Sequence, residues 1–193
     1  MGYKYQKEEI LKIGYDTFRK KGYHNVGINE ILKNANIPKG SFYNFFISKE
    51  DFALQVIEYY SNWKRNLIEK HLEDKSKSPY HRIKGFYEVL IGINEEDKFS
   101  GGCLLNNMAN ELGALSEPIS NATDKNFLSW VYLIADCVKE AQLLGEIRDD
   151  YSSYEIAEYL QAGFNGTFSR MKVTHSKNFM EKWLKMSFEF IKV

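Results

Sequence analysis

Apolar residues recur along the chain at helical spacing, most legibly between residues 28 and 46. Ile28, Ile31, Leu32 and Ala35 fall at i, i+3, i+4 and i+7, one apolar stripe on a short helix. Asn36-Ile37-Pro38 interrupts it, because proline cannot continue a helix and disfavours helical dihedrals in the residue before it. A second short helix is predicted from about Lys39, with Phe42 and Phe46 turned toward the first and Lys39, Ser41, Tyr43 and Asn44 on the other face. Two short helices joined by a tight turn, the second basic and polar outward, fit a helix-turn-helix whose second helix enters a major groove. Upstream, Ile10, Ile13, Gly14, Thr17 and Phe18 predict a helix from about Lys7 to Lys21, closed by Gly22 behind a basic last turn. Downstream, Ser48 and Asp51 make a near capping box for a long helix carrying Phe52, Val56, Tyr59, Tyr60, Trp63 and Leu67 and running to about Leu72. Helical patterns follow over about 79–94, with Ser78 as N-cap and Pro79 at the first position, then 102–112, 116–144, 153–173 and 176–191. The expectation is an all-α chain of nine or ten helices with no strand.

The order Gly22-Tyr23, Ile28, Ile31, Ala35, Lys39-Gly40, Tyr43, Phe46, Ser48-Lys49-Glu50 and Phe52 resembles the DNA-binding domain of TetR-type transcriptional regulators. The match covers roughly residues 4 to 64, with the motif over about 27–46, and leaves 65–193 to a helical ligand-binding and dimerisation domain of the kind the family carries. Three positions depart from the family pattern. Val26-Gly27 stands where two threonines or serines are usual, making Gly27 the N-cap of the first motif helix. Pro38 replaces a serine before the second helix, exchanging a side-chain cap for a preset φ. Phe45 occupies the place of a histidine or tyrosine that often touches the DNA backbone, so no polar contact is assigned to it.

Composition changes this picture only locally. Lys plus Arg and Asp plus Glu both total 26, so the net charge is zero, and 44% apolar content over 193 residues is enough for a real core. The first 50 residues nevertheless carry a balance of +4, a basic end of the kind that meets phosphates. No stretch approaches the roughly 18 uninterrupted apolar residues of a membrane span, and the first residues lack an apolar signal core. Cys103 and Cys137 are too few for a disulfide framework and show no metal spacing. His24, His71, His81 and His175 are scattered, and no phosphate loop follows a strand, so no enzymatic reading has its materials. The expectation is a cytoplasmic non-enzyme without cofactor or metal.

On the second motif helix, Lys39 can neutralise a phosphate, Gly40 lets backbone approach the groove, and Ser41 and Asn44 can read base edges. Tyr43 and Lys49 match positions that contact phosphates in the TetR family; Asn29 and Tyr23 are further candidates by position. The alternative for this face is ordinary solvated polar surface. The resemblance also implies a small-molecule cavity. Its candidates are Tyr59, Trp63, Phe86, Tyr87, Cys103, Trp130, Phe164 and Phe168, with Asn107, Asn110 and Glu111 as polar partners, although aromatics at helical spacing are more often core than pocket. Cys103 follows Gly101-Gly102 at a predicted helix start, and the stretch Gly102-Cys103-Leu104-Leu105 resembles that of a TetR subgroup, some of whose members sense electrophiles through cysteine; a small buried residue is the reading favoured here. On the last two helices Ala162, Gly163 and Gly166, with Phe179, Trp183, Met186 and Phe190, make either intramolecular core or a two-fold interface, and the resemblance implies the interface. The implied protein is a homodimeric repressor of a near-palindromic operator, released by a small-molecule effector. The rival is a helical ligand-binding or interaction protein whose motif no longer binds DNA.

Overall fold

The computed structural model describes residues 6–193, so residues 4 and 5 of the expected DNA-binding domain lie outside the described residues. Nine helices form among them: α1 (Lys7–Lys21), α2 (Ile28–Ala35), α3 (Lys39–Tyr43), α4 (Lys49–Leu72), α5 (Pro79–Glu96), α6 (Leu104–Leu112), α7 (Glu117–Leu143), α8 (Ser153–Thr174) and α9 (Asn178–Ile191). The only β feature among these residues is an isolated antiparallel bridge between Ile147 and Lys192, which ties the end of α9 to the α7–α8 turn.

Local chemistry sets the helix ends. α1 carries Glu8 and Glu9 in its first turn and Arg19, Lys20 and Lys21 in its last, both signs favoured by the dipole. Gly22, at φ 81°, turns the chain away while its N–H bonds the Phe18 carbonyl. Gly27 caps α2 without any side-chain bond, and Asn36, left-handed at φ 51°, closes it. Pro38 enters α3 at φ −67°, the angle its ring imposes. Ser48 accepts the Asp51 N–H at 3.0 Å, but the Asp51 carboxylate takes the N–H of Ile47, at 2.9 Å, one residue before the box position. Ser78 makes no cap bond; its hydroxyl meets the His81 ring nitrogen at 2.9 Å, and Pro79 alone starts α5. The full capping box belongs to Ser152 and Glu155, at α8.

The helices gather into two compact units. The first comprises the residues up to Trp63 together with Cys103–Asn126; the second comprises Lys64–Gly102 and Phe127–Val193. No single cut in the sequence separates them, and α4 and α7 each contribute residues to both.

The first unit is built on aromatics. Phe18, Phe42, Phe46 and Phe52 are all fully buried, with ring centroids 4.7 Å apart for Phe46–Phe52, 4.9 Å for Phe42–Phe46, 5.2 Å for Phe42–Phe52 and 5.7 Å for Phe18–Phe52. Gly14 makes this possible, since a Cβ there would stand 2.3 Å from the Phe52 ring. Within this unit α1 packs on α2 and α6, and α2 on α3. In the second unit α9 packs on α8 and α5. Its centre is Tyr87, whose ring lies 4.9 Å from Trp183 and 5.1 Å from Phe164.

Candidate nucleic-acid interface

The α2–α3 turn is fixed from beneath. Phe42 and Phe46 anchor α3 in the aromatic cluster, although Phe46 lies just past the helix end and is reached by a bond from its N–H to the Phe42 carbonyl at 3.0 Å. With the buried face fixed, the opposite face is presented outward. Lys39, Gly40, Tyr43 and Asn44 are exposed and Ser41 is half-buried. The Lys39 ammonium stands 5.9 Å above the Tyr43 ring, and Asn44 is the C-cap of α3. A Cβ at Gly40 would meet nothing within 4 Å, so intramolecular packing does not require a glycine there. Asn29 is exposed on the first turn of α2. Phe45 is half-buried against Phe46, at 6.0 Å.

Tyr23 and Lys49 form a separate corner of the same unit. The Lys49 ammonium donates to the Tyr23 carbonyl at 2.7 Å and sits 4.0 Å from the centre of the Tyr23 ring. Burial holds the lysine below its ordinary pKa, and nearby Glu111 pulls the other way. Burial, followed by the charge of Glu50, pushes the Tyr23 phenol up. Behind this corner stands α6. The Glu111 carboxylate accepts the backbone N–H groups of Tyr23, at 3.2 Å, and His24, at 3.1 Å. Asn107 donates to the Arg19 carbonyl at 3.0 Å, and Ser116, just before α7, donates to Glu50 at 2.6 Å. The expected ligand partners Asn107 and Glu111 thus have their polar groups engaged on the backbone around the end of α1. Ile47, with 86% of its surface exposed beside the start of α4, is a feature of this unit that helical periodicity does not single out.

The remaining candidates divide between the units. Tyr59, Trp63, Cys103, Asn107, Asn110 and Glu111 belong to the first; Phe86, Tyr87, Trp130, Phe164 and Phe168 belong to the second. Burial, then Glu8 and Asp16, raises the Tyr59 phenol. Trp63 stacks on Tyr60 at 5.8 Å and is 42% exposed. Cys103 caps α6 rather than lying in its first turn, and its thiol is 2% exposed and accepts the Tyr60 hydroxyl at 3.5 Å. Asn110 is exposed. In the second unit Phe86, Tyr87, Trp130 and Phe164 are buried together with Phe168. The Tyr87 hydroxyl and the Gln161 side-chain oxygen are buried without a hydrogen bond. Lys64, 3% exposed, holds its ammonium 5.4 Å from both the Phe86 and Trp130 rings, a buried charge that the pattern of the sequence does not announce. A groove of about 540 Å³ bordered by Phe127, Val131, Tyr159 and Gln161, and a smaller cavity of about 190 Å³ beside Arg82 and Cys137, are lined by none of the ligand candidates.

On α8 and α9 the small-residue stretch has an internal neighbour. A Cβ at Gly163 would stand 2.4 Å from the Trp183 indole nitrogen, so this glycine admits a tryptophan of the same chain. Phe179 is half-buried under Arg170, whose guanidinium lies 4.5 Å from its ring. Ala162 and Gly166 are exposed, and nothing would meet a Cβ at Gly166 within 4 Å. Met186 and Phe190 are 69% and 47% exposed. No helix among the described residues is long and apolar enough to cross a membrane.

Two family models match the chain: bacterial regulatory proteins of the tetR family over residues 10–56, and the tetracyclin repressor-like C-terminal domain over residues 79–186. The HTH-type transcriptional repressor DhaR of Mycobacterium sp. strain GP1 is 33% identical over 184 residues, which span 95% of this chain and 90% of DhaR. The transcriptional regulator AcuR of Cereibacter sphaeroides is 33% identical over 166 residues, 86% of this chain and 76% of AcuR. A crystal structure of a regulatory protein TetR from Rhodobacter sphaeroides superposes with a TM-score of 0.91 at 30% identity, covering 95% of this chain and 97% of that one.

Proposed function

The chain belongs to the TetR family of DNA-binding transcriptional regulators, and from that premise we propose that it is a repressor that grips a near-palindromic operator as a homodimer and is released by a small molecule. The observation that carries the DNA half of this reading is the α3 face: Lys39, Gly40, Tyr43 and Asn44 stand exposed on a helix whose other side is locked into four buried phenylalanines. A rigid base is what a reading helix needs, because bidentate contact to a base edge tolerates little angular error. Ser41 and Asn44 read bases, Lys39 and Tyr43 hold phosphates, and Tyr23, Lys49 and Asn29 extend the backbone contact.

Dimerisation is supported by Met186, Phe190, Tyr159 and Val173, apolar residues left exposed on α8 and α9. A dimer of heads reaches two half-sites about one helical turn, roughly 34–36 Å, apart or a multiple of it. Effector release is supported by two buried polar atoms of the second unit without hydrogen bonds, the Tyr87 hydroxyl in the aromatic core and the side-chain oxygen of Gln161, which borders the groove of Phe127 and Val131. A mainly apolar, partly aromatic ligand with one or two polar groups suits that interior, and it acts only through differential affinity for the two states. The same reading places the protein in the cytoplasm. DhaR and NemR of Escherichia coli, 28% identical over 70% of this chain, are named as repressors, which supports repression here.

The test is footprinting with the DNA flanking the protein's own gene. The expected outcome is one protected stretch of two inverted half-sites that disappears as salt rises. A protein that protects no fragment at any salt concentration belongs to the rival class of helical binding proteins that have lost DNA.

A further inference from the structure

Glu111 lies on α6, yet its carboxylate accepts the N–H groups of two successive residues, Tyr23 and His24, just beyond the end of α1. Those donors lie beyond the α-helical ladder because Gly22 has already turned the chain at φ 81°. Gly22 also makes room: a Cβ there would stand 2.4 Å from the carboxylate oxygen. Tyr23 in turn presents its carbonyl and its ring to the Lys49 ammonium, at 2.7 Å and 4.0 Å. The three contacts form a chain from α6 through the backbone of Tyr23 to Lys49.

We propose that Glu111 is a positioning residue for DNA binding, fixing the Tyr23 backbone so that the Lys49 ammonium is docked in a phosphate-binding orientation. This rests on the reading of Lys49 as a phosphate contact. An ammonium has three N–H donors, and the Tyr23 carbonyl takes only one, leaving others for a phosphate oxygen. One carboxylate that accepts two successive backbone N–H groups, one on each oxygen, holds both from a single side chain, which suits a fixing role. It also ties the DNA grip to the placement of α6, so an effector that moved α6 would loosen the Lys49 contact without touching the reading helix.

Electrostatics alone predicts the opposite sign. A carboxylate near the phosphate corner repels DNA, so its removal would tighten binding if Glu111 acted only through charge. The experiment measures operator affinity of the full-length protein against salt for wild type, Glu111→Ala, Glu111→Gln, Lys49→Ala, the Lys49→Ala/Glu111→Ala pair and Asn107→Ala. Positioning predicts that Glu111→Ala weakens binding about tenfold and lowers the salt slope by about one unit, as Lys49→Ala does. Glu111→Gln, whose single amide oxygen can accept the Tyr23 N–H while its NH2 group cannot accept the His24 N–H, should bind more tightly than Glu111→Ala but below wild type, and the double variant should bind no worse than Lys49→Ala alone. Asn107→Ala removes another tie from α6 to α1 and should lower the melting temperature while leaving the slope unchanged. Unchanged or tighter binding by Glu111→Ala, or losses that multiply in the double variant, overturns the proposal while Lys49 stands. A Lys49→Ala variant indistinguishable from wild type removes the phosphate reading itself, and the proposal falls with it.

Discussion

Gly40 separates two demands on a single residue. Nothing in the protein would meet a Cβ there, and alanine is the better helix former by about 0.8–1.0 kcal/mol in a helix interior. Gly40→Ala is therefore expected to leave the melting temperature unchanged or raise it slightly while weakening operator binding, because the added methyl stands on the outward face of α3 that we propose reads DNA. Thermal unfolding and fluorescence anisotropy on the same samples check both halves. Cys103 takes the packed form of its two readings. It lies at the N-cap of α6 and not in the first turn, 2% exposed, under the Tyr60 hydroxyl. Cys137 is buried too, and burial pushes its thiol up to about 11. Mild alkylation of the folded protein should label neither within the time that labels both in denaturant. Mass mapping that finds Cys103 modified in the native state would contradict its placement as a packed residue.

The helices themselves were legible because their signals are local. Stripes of apolar residues mark the elements, and Gly22, Pro38 and the basic end of α1 mark element ends, each acting within a few residues. Gly22 closes α1 at φ 81° and ψ 164°, outside the left-handed helical region expected of a glycine cap. What an element packs against is not local, and there the reading of the sequence ran out. Glycine in α8 announced a close approach but not which helix approaches; Trp183 of the same chain fills the space over Gly163. Gly163→Leu should accordingly destabilise the folded chain by about 1–3 kcal/mol through overpacking. The fall in melting temperature should be independent of protein concentration. A loss that vanishes at high concentration would return Gly163 to an interface between copies.

For the molecule as a whole, the division into units was the least legible feature. A boundary after residue 64 follows from the resemblance, but Cys103–Asn126 groups with the first unit, where Asn107, Glu111 and Ser116 bond to residues 66–88 positions away. Such pairings leave no periodic trace. The exposed apolar residues of α8 and α9 carry the prediction about assembly. Met186 is 69% exposed, so Met186→Lys should change the stability of a single chain by no more than about 0.5 kcal/mol. It should raise the monomer fraction in sedimentation and lower operator affinity, since half-sites would then be held one at a time. A wild-type protein that sediments as a monomer at micromolar concentration would remove the dimer from the account.

The central claim is that the outward face of α3 is the DNA-reading surface, and the salt dependence of operator binding tests it most directly. Each phosphate neutralised contributes about 0.9 to the slope of log affinity against log salt concentration. Lys39→Ala should weaken binding to all sequences alike and make the slope shallower by about one unit; Asn44→Ala should leave the slope in place and relax the preference at a single base position by about 1–3 kcal/mol. If both variants bind the operator with wild-type affinity, slope and preference, α3 is not the surface that reads DNA.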